Sequence, residues 1–241
     1  MQERTNALCR YIFENVDPAR YDLIVVDNGS DITLPSCYTA VMLGKNVQTT
    51  NAWLMGLHYV DSLAALSGTP YFAYWFLITS AEFPDKGGDP LSPMLSFLES
   101  RYDAVGIHPA LTQDSTTHWS HMISRGGEQP RQTWMIDNIA SLYRADWFNS
   151  VGRFDPRLTY AWGIDLETCW KARAAEKTLW IDERSQVKKV TDIGYTMNRM
   201  NMTAHDRAVR ATDNMNRVLT ERYGYDFMNR MLKEFRTNDL E

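Results

Sequence analysis

Short β-rich apolar runs alternate with helical segments along this chain, and that alternation constrains the fold more than any other feature. Residues 21–27 (YDLIVVD) form one such run, stopped by Asn28-Gly29-Ser30, which predicts a buried strand entering a turn. Residues 71–78 (YFAYWFLI) form the most hydrophobic run, and its length and aromatic content suit a buried strand. Residues 104–107 predict a third strand, and residues 179–182 and 186–190 two further extended segments. Among these, Leu8, Ile12 and Phe13 predict a helix over 5–15. Trp53, Leu54, Leu57 and Val60 predict another after Asn51, ended by Gly68-Thr69-Pro70. Shorter helices are expected over 94–99, 146–151 and 166–175. Such alternation predicts an α/β domain with a mostly parallel sheet flanked by helices. From His205 onward the chain reads as largely helical, so residues 1–200 are expected to form the domain and 201–241 a helical extension packed on it.

A chain of 241 residues can bury one substantial core. Its net charge is −5 with Lys and Arg scattered, which argues against a dedicated nucleic-acid binder with a basic face. Cys9, Cys37 and Cys169 are an odd set without C-x-x-C spacing, so no zinc site or disulfide framework is indicated and a reducing compartment is the default. The longest apolar run is too short to span a bilayer, which needs roughly 20 residues. No signal-peptide pattern stands at Met1. A cytoplasmic protein is expected, with loose association to a membrane surface left open.

Residues 151–173, VGRFDPRLTYAWGIDLETCWKAR, carry Asp165 and Glu167 after a turn at Gly163 and at the start of a helix. At such a junction one carboxylate can take a proton while the other orients a hydroxyl or helps hold a cation. Equally, Asp165 can cap the helix and Glu167 suit its first turn. Two strand ends are also polar, and in open α/β sheets ligands bind beyond the carboxyl ends of strands. Asp27-Asn28-Gly29-Ser30 offers contacts to a base or ribose, or an ordinary turn. Thr79-Ser80-Ala81-Glu82 offers a carboxylate to a cation on a diphosphate, or a solvated strand end. The polar stretch 108–131 predicts a long loop, where lids and binding segments occur. Within it His118 and His121 have a spacing that binds metal on a helix, but no third ligand is evident, which favours a solvated loop or an acceptor-side contact. Trp134, Trp162 and Trp170 offer faces for stacking on a sugar, against the commoner reading of core.

Four motifs follow one another in a fixed order. They are the strand end D-N-G-S-D at 27–31, N-x-x-x-x-N-x-W-x-x-G at 46–56, the aromatic strand ending T-S-A-E at 79–82, and V-G-x-F-D-P-x-L-x-x-x-W-G-I-D-L-E-x-C-W-K-A-R at 151–173. In that order they resemble glycosyltransferase family 2, whose members have a GT-A fold. The resemblance covers roughly residues 5–190, and its last motif is the specific one. It implies an inverting transfer of a sugar from a nucleotide-diphosphate-sugar donor, UDP-linked or another, to a hydroxyl acceptor on a glycan, polysaccharide or glycoconjugate. Carried over by position, Asp165 is the base that deprotonates the acceptor hydroxyl and Glu167 the second acid of that motif. Trp162 and Gly163 shape the acceptor pocket. Asp27, with Asn28, Ser30 and Asn51, serves the nucleotide. Glu82 falls on the D-x-D position, whose carboxylate binds a divalent metal, Mn or Mg, and the diphosphate.

The chain departs from that pattern in three places. The family's first strand, ending in a P-T-Y-N-like segment, has no counterpart before the first helix, which implies an N-terminal fragment or a site completed otherwise. D-x-D has become Ser80-x-Glu82, which removes one ligand and moves the remaining carboxylate outward by a methylene. A His near a V-x-H segment is replaced in Val187-Lys188-Lys189, and Lys189 there can neutralise a diphosphate directly instead of holding a cation. Two rivals stay open. One is a catalytically inactive or truncated nucleotide-sugar-binding module. The other is a nucleotidyltransferase, although no Gly-rich phosphate loop follows a strand. A modified DNA base as acceptor is disfavoured by the net charge.

Overall fold

The computed structural model describes residues 2–31, 33–84, 88–117, 119–190 and 202–236. Along the chain run α1 (Gln2–Asn15), β1 (Val25–Asp27), β2 (Thr39–Met42), α2 (Thr49–Ser67), β3 (Ala73–Trp75) and β4 (Ala81–Glu82). There follow α3 (Leu91–Ser100), β5 (Ala104–Leu111), β6 (Arg131–Thr133), β7 (Leu142–Arg144), α4 (Ala145–Ser150), α5 (Ile164–Ala174) and β8 (Thr178–Lys189). The last helices are α6 (Ala204–Tyr223) and α7 (Phe227–Arg236). The α/β class expected from the sequence is what forms: a main sheet in the order β3-β7-β5-β8-β4, with helices packed on it, and a separate two-stranded β1–β2 sheet.

The sheet is mixed, however, where the sequence had predicted a mostly parallel one. Among the described residues β1–β2 and β5–β8 are parallel, while β3–β7, β5–β7, β4–β8 and β6–β8 are antiparallel. A parallel neighbour needs a crossover of a dozen or more residues, usually helical. The described chain between β5 and β7 holds no α-helix. It therefore comes back beside β5 running the other way.

β5 is buried along its whole length, and it runs past the predicted end at Ile107 to Leu111. The ladder with β8 slips between Pro109 and Ala110, where the partner jumps from Asp182 to Gln186. Proline has no N–H for a ladder and is confined in sheets to edges and bulges. The slip also explains why residues 179–182 and 186–190 read as two segments: they belong to one strand interrupted by a bulge. Beyond it β8 outruns β5 and pairs with β4, Ala81 opposite Lys189 and Glu82 opposite Lys188.

The bulge is held by charge. Glu183 accepts from Ser124 Oγ at 2.8 Å, Arg125 N at 2.9 Å and Arg131 Nε at 2.6 Å, and Asp182 pairs with Arg184 at 2.8 Å. His108, fully buried on β5, accepts from the Ala140 N–H at Nε2 (3.1 Å). Burial pushes its pKa down to about 3, so it is a neutral structural imidazole. The core gathers Tyr143, Phe148, Phe154, Ile107 and Leu111, and Val218, Leu219, Phe227 and Met231 of α6 and α7 join the same cluster. Among the described residues no helix is long and apolar enough to cross a membrane.

Candidate active site

The Asp27–Ser30 turn leaves β1 and is pressed onto the segment before α2. Gly29 has φ +78°, and a Cβ there would lie 2.4 Å from the Lys45 carbonyl carbon and 2.5 Å from Asn46 N, both backbone atoms. Only glycine permits that approach. Asp27, buried, accepts from Ser30 N at 2.9 Å. Asn28 accepts from Val47 N at 2.9 Å and donates to Asn46 Oδ1 at 3.3 Å, and Asn51 Nδ2 donates to Val47 O at 3.2 Å. Asp27, Asn28, Ser30 and Asn51, expected on the nucleotide side, thus belong to one loop cluster at the end of β1 and the start of α2.

That cluster is tied to the motif at 151–173. Thr50, fully buried at the start of α2, donates through Oγ1 to Leu158 O at 2.5 Å and through N to Thr159 O at 3.3 Å. Phe154 of the same motif packs on Phe76 (4.8 Å between ring centroids) and Trp53 (5.7 Å). The chain then reaches Trp162, 39% exposed, and Gly163, with φ +87°. A Cβ on Gly163 would meet Met215 Cγ at 2.7 Å, so α6 lies directly against this turn.

Asp165 stands in the first turn of α5, half-buried, and its Oδ1 accepts from Leu166 N at 2.9 Å. Cys169 lies one turn on along the same helix face, and its Sγ accepts from Ile136 N at 3.4 Å. Segment 136–137 therefore runs along the face that carries Asp165. Burial, then the neighbouring Asp137 carboxylate, raise the pKa of Asp165 to about 7; the Leu166 N–H, its own backbone amide and the Lys189 ammonium oppose the rise. Lys189 Nζ lies 3.8 Å from Asp137 Oδ2. Asp165, Asp137 and Lys189 thus form one charged group.

Asp137 is the member that sequence reasoning missed. The available signal was its isolation as the one charge in the apolar run 134–140 (WMIDNIA).

Glu167 is placed elsewhere. Two residues on from Asp165 it points to another side of α5, fully buried, where Oε1 accepts from Arg222 Nη1 at 2.6 Å and Tyr223 OH at 3.0 Å. Lys171 Nζ lies 3.5 Å from its Oε2, and Arg222 also reaches Asp155 at 3.0 Å. Burial works to raise the Asp155 carboxyl, but Arg157 and Arg222 outweigh it and hold it below the usual range. This network fastens α6 to α5. Arg222→Ala takes the nearest cation from a buried carboxylate and is expected to cost about 3 kcal/mol, read as a lower urea midpoint at unchanged slope.

Among the described residues the expected metal position offers no ligand set for a divalent cation. Glu82 is exposed, and its cross-strand neighbour is Lys188. Side chains alternate along a strand, so Glu82 and Lys188 share one face and Ala81 and Lys189 the other. Lys188 pairs with Asp114 on its own face. Ser80 supplies a hydroxyl where the motif calls for an acid. Among the described residues no group of three His, Cys, Asp or Glu side chains is arranged to hold a metal ion. Of the paired histidines, His118 lies outside the described residues; the His121 ring lies tilted against Trp134 at 4.4 Å, and its Nε2 lies 3.1 Å from Met135 O.

No protein-family model matches the chain, and no curated protein matches it. Among solved structures it is similar to "Crystal structure of GalNAc-T7 with UDP, GalNAc and Mn2+", with a TM-score of 0.45 and 12% identity. The match covers 62% of this chain and 32% of that one, so the chain spans about a third of the length of that protein.

Proposed function

We propose that this chain is a GT-A-like inverting glycosyltransferase that moves a sugar from a nucleotide-diphosphate-sugar donor to a hydroxyl acceptor, with Asp165 as general base. The observation that carries the reading is the placement of Asp165: half-buried at the start of α5, on the face against which segment 136–137 packs. There burial and the Asp137 carboxylate raise its pKa to about 7. A base works best when its pKa lies near the operating pH. The order of the four sequence motifs supports the same reading. So does the tie between the cluster at 27–51 and the turn before Asp165.

In the reaction the acceptor oxygen attacks the anomeric carbon while its proton passes to the Asp165 carboxylate. The bond from that carbon to the diphosphate oxygen breaks in line, and the diphosphate leaves with the electron pair. One displacement inverts the anomeric centre. Holding oxygen, carbon and leaving group in line is the part of the barrier that positioning removes. The exposed Trp162 and the Gly163 turn flank the place where the acceptor arrives. Asp27, Asn28, Ser30 and Asn51 serve the nucleotide. Glu167, bound to Arg222 and Tyr223, holds α5 in place and takes no part in proton transfer.

The test is a panel of UDP-, GDP- and dTDP-sugars with simple glycoside acceptors, scored for release of nucleoside diphosphate. Release that requires acceptor supports the reading, and release of pyrophosphate indicates a nucleotidyltransferase instead. The altered D-x-D position favours a second reading, an inactive nucleotide-sugar-binding module. Nucleoside diphosphate binding without turnover of any donor is its signature.

A further inference from the structure

We propose that the Lys189 ammonium neutralises the departing diphosphate, so that transfer at this site needs no divalent cation. The proposal rests on the transferase reading above and specifies how its leaving group is stabilised.

A departing diphosphate needs fixed positive charge where its own charge develops. The position that should supply it through a metal, Glu82, is exposed and has the Lys188 cation as its cross-strand neighbour. On the opposite face of the same strand pair stands Lys189, across from Ala81. A methyl group there leaves the lysine room. Its backbone is fixed from both sides: Lys189 N donates to Ser115 Oγ at 3.1 Å, its carbonyl accepts from Thr116 N at 3.0 Å, and the next residue, Val190, donates to Ser80 O at 2.9 Å.

The ammonium is therefore delivered from a rigid strand. Its separation of 3.8 Å from Asp137 Oδ2 contrasts with the 2.6 Å that Arg222 keeps to Glu167. The longer contact leaves the ammonium capable of turning to a phosphate oxygen. Like charges repel, so a divalent ion beside this ammonium is disfavoured. Lysine binds phosphate as a point charge without a metal. Asp137, its neighbour at 3.8 Å, lies on the segment that packs against α5, so the ammonium stands on the same side as the proposed base.

The experiment is calorimetric titration of the full chain with UDP, GDP and dTDP, in chelator and again in Mn2+ or Mg2+, for the wild type, Lys189→Ala and Lys189→Arg. The expected result is binding of at least one nucleotide with the same affinity in chelator as with metal. Lys189→Ala weakens that binding by about 10- to 100-fold, the range for a hydrogen bond to a charged group. Lys189→Arg restores most of it. Binding that appears only with metal and is unchanged in Lys189→Ala overturns the inference and leaves the transferase reading standing. No binding of any nucleotide under either condition removes that reading and the inference with it.

Discussion

Asp165→Asn is expected to lower transfer by about 100- to 10,000-fold, the range for loss of a positioned general base, while the protein stays folded and binds nucleotide as before. Asparagine keeps the volume of the side chain and an oxygen that can accept from Leu166 N, the bond Asp165 makes at 2.9 Å. What it lacks is the capacity to take a proton. Stability should move the other way from activity. The carboxyl has a folded pKa of about 7 against an ordinary 3.8. A raised folded pKa contributes stability below the unfolded value, and that contribution is lost as pH rises through the folded value. Above about pH 7 the wild type carries a charge that burial and Asp137 penalise, and the neutral variant does not. Thermal unfolding at alkaline pH should therefore give a higher Tm for Asp165→Asn than for the wild type. Near-normal turnover in the variant would refute the role assigned to this residue.

The second large effect is on pH dependence. The base must be ionised to act, so kcat/KM should fall about tenfold per unit as pH drops below a midpoint near 7. The two neighbours set that midpoint with opposite sign. Asp137 raises the pKa of Asp165, so Asp137→Asn should move the midpoint down; Lys189 lowers it, so Lys189→Ala should move what activity remains to higher pH. Paired shifts of opposite sign separate electrostatic tuning from damage to the fold, which moves rate without moving the midpoint. A rate that stays flat across about pH 5 to 9 contradicts a base of this kind.

The helices and the α/β class were legible in the sequence because each carries its own signal. Leu8 and Ile12 mark α1, Gly68 closes α2, and the spacing of Met215, Val218 and Leu219 marks α6. What pairs with what was less legible. The extent of β5 was hidden by Pro109, and the unity of β8 by a bulge whose partners, Ser124, Arg125 and Arg131, lie far back in the chain.

The same limit governs the site. Glu167 reads as a second active acid from its neighbours in sequence, yet its partners Arg222 and Tyr223 come from a helix more than fifty residues later. Glu82 reads as a ligand until its opposite number across the strand is known to be Lys188. Asp137 carries no motif at all. It becomes significant only because Cys169 and Ile136 bring its segment against α5. Local chemistry was readable; long-range pairing, which decides where a side chain faces, was not.

The most direct measurement is a crystal structure of the protein with a nucleoside diphosphate and an acceptor glycoside bound. The base and ribose should lie against the Asp27–Asn51 cluster, the diphosphate on Lys189, and the acceptor hydroxyl within hydrogen-bonding reach of Asp165. A nucleotide seated away from that cluster, or an acceptor oxygen beyond reach of Asp165, contradicts this arrangement.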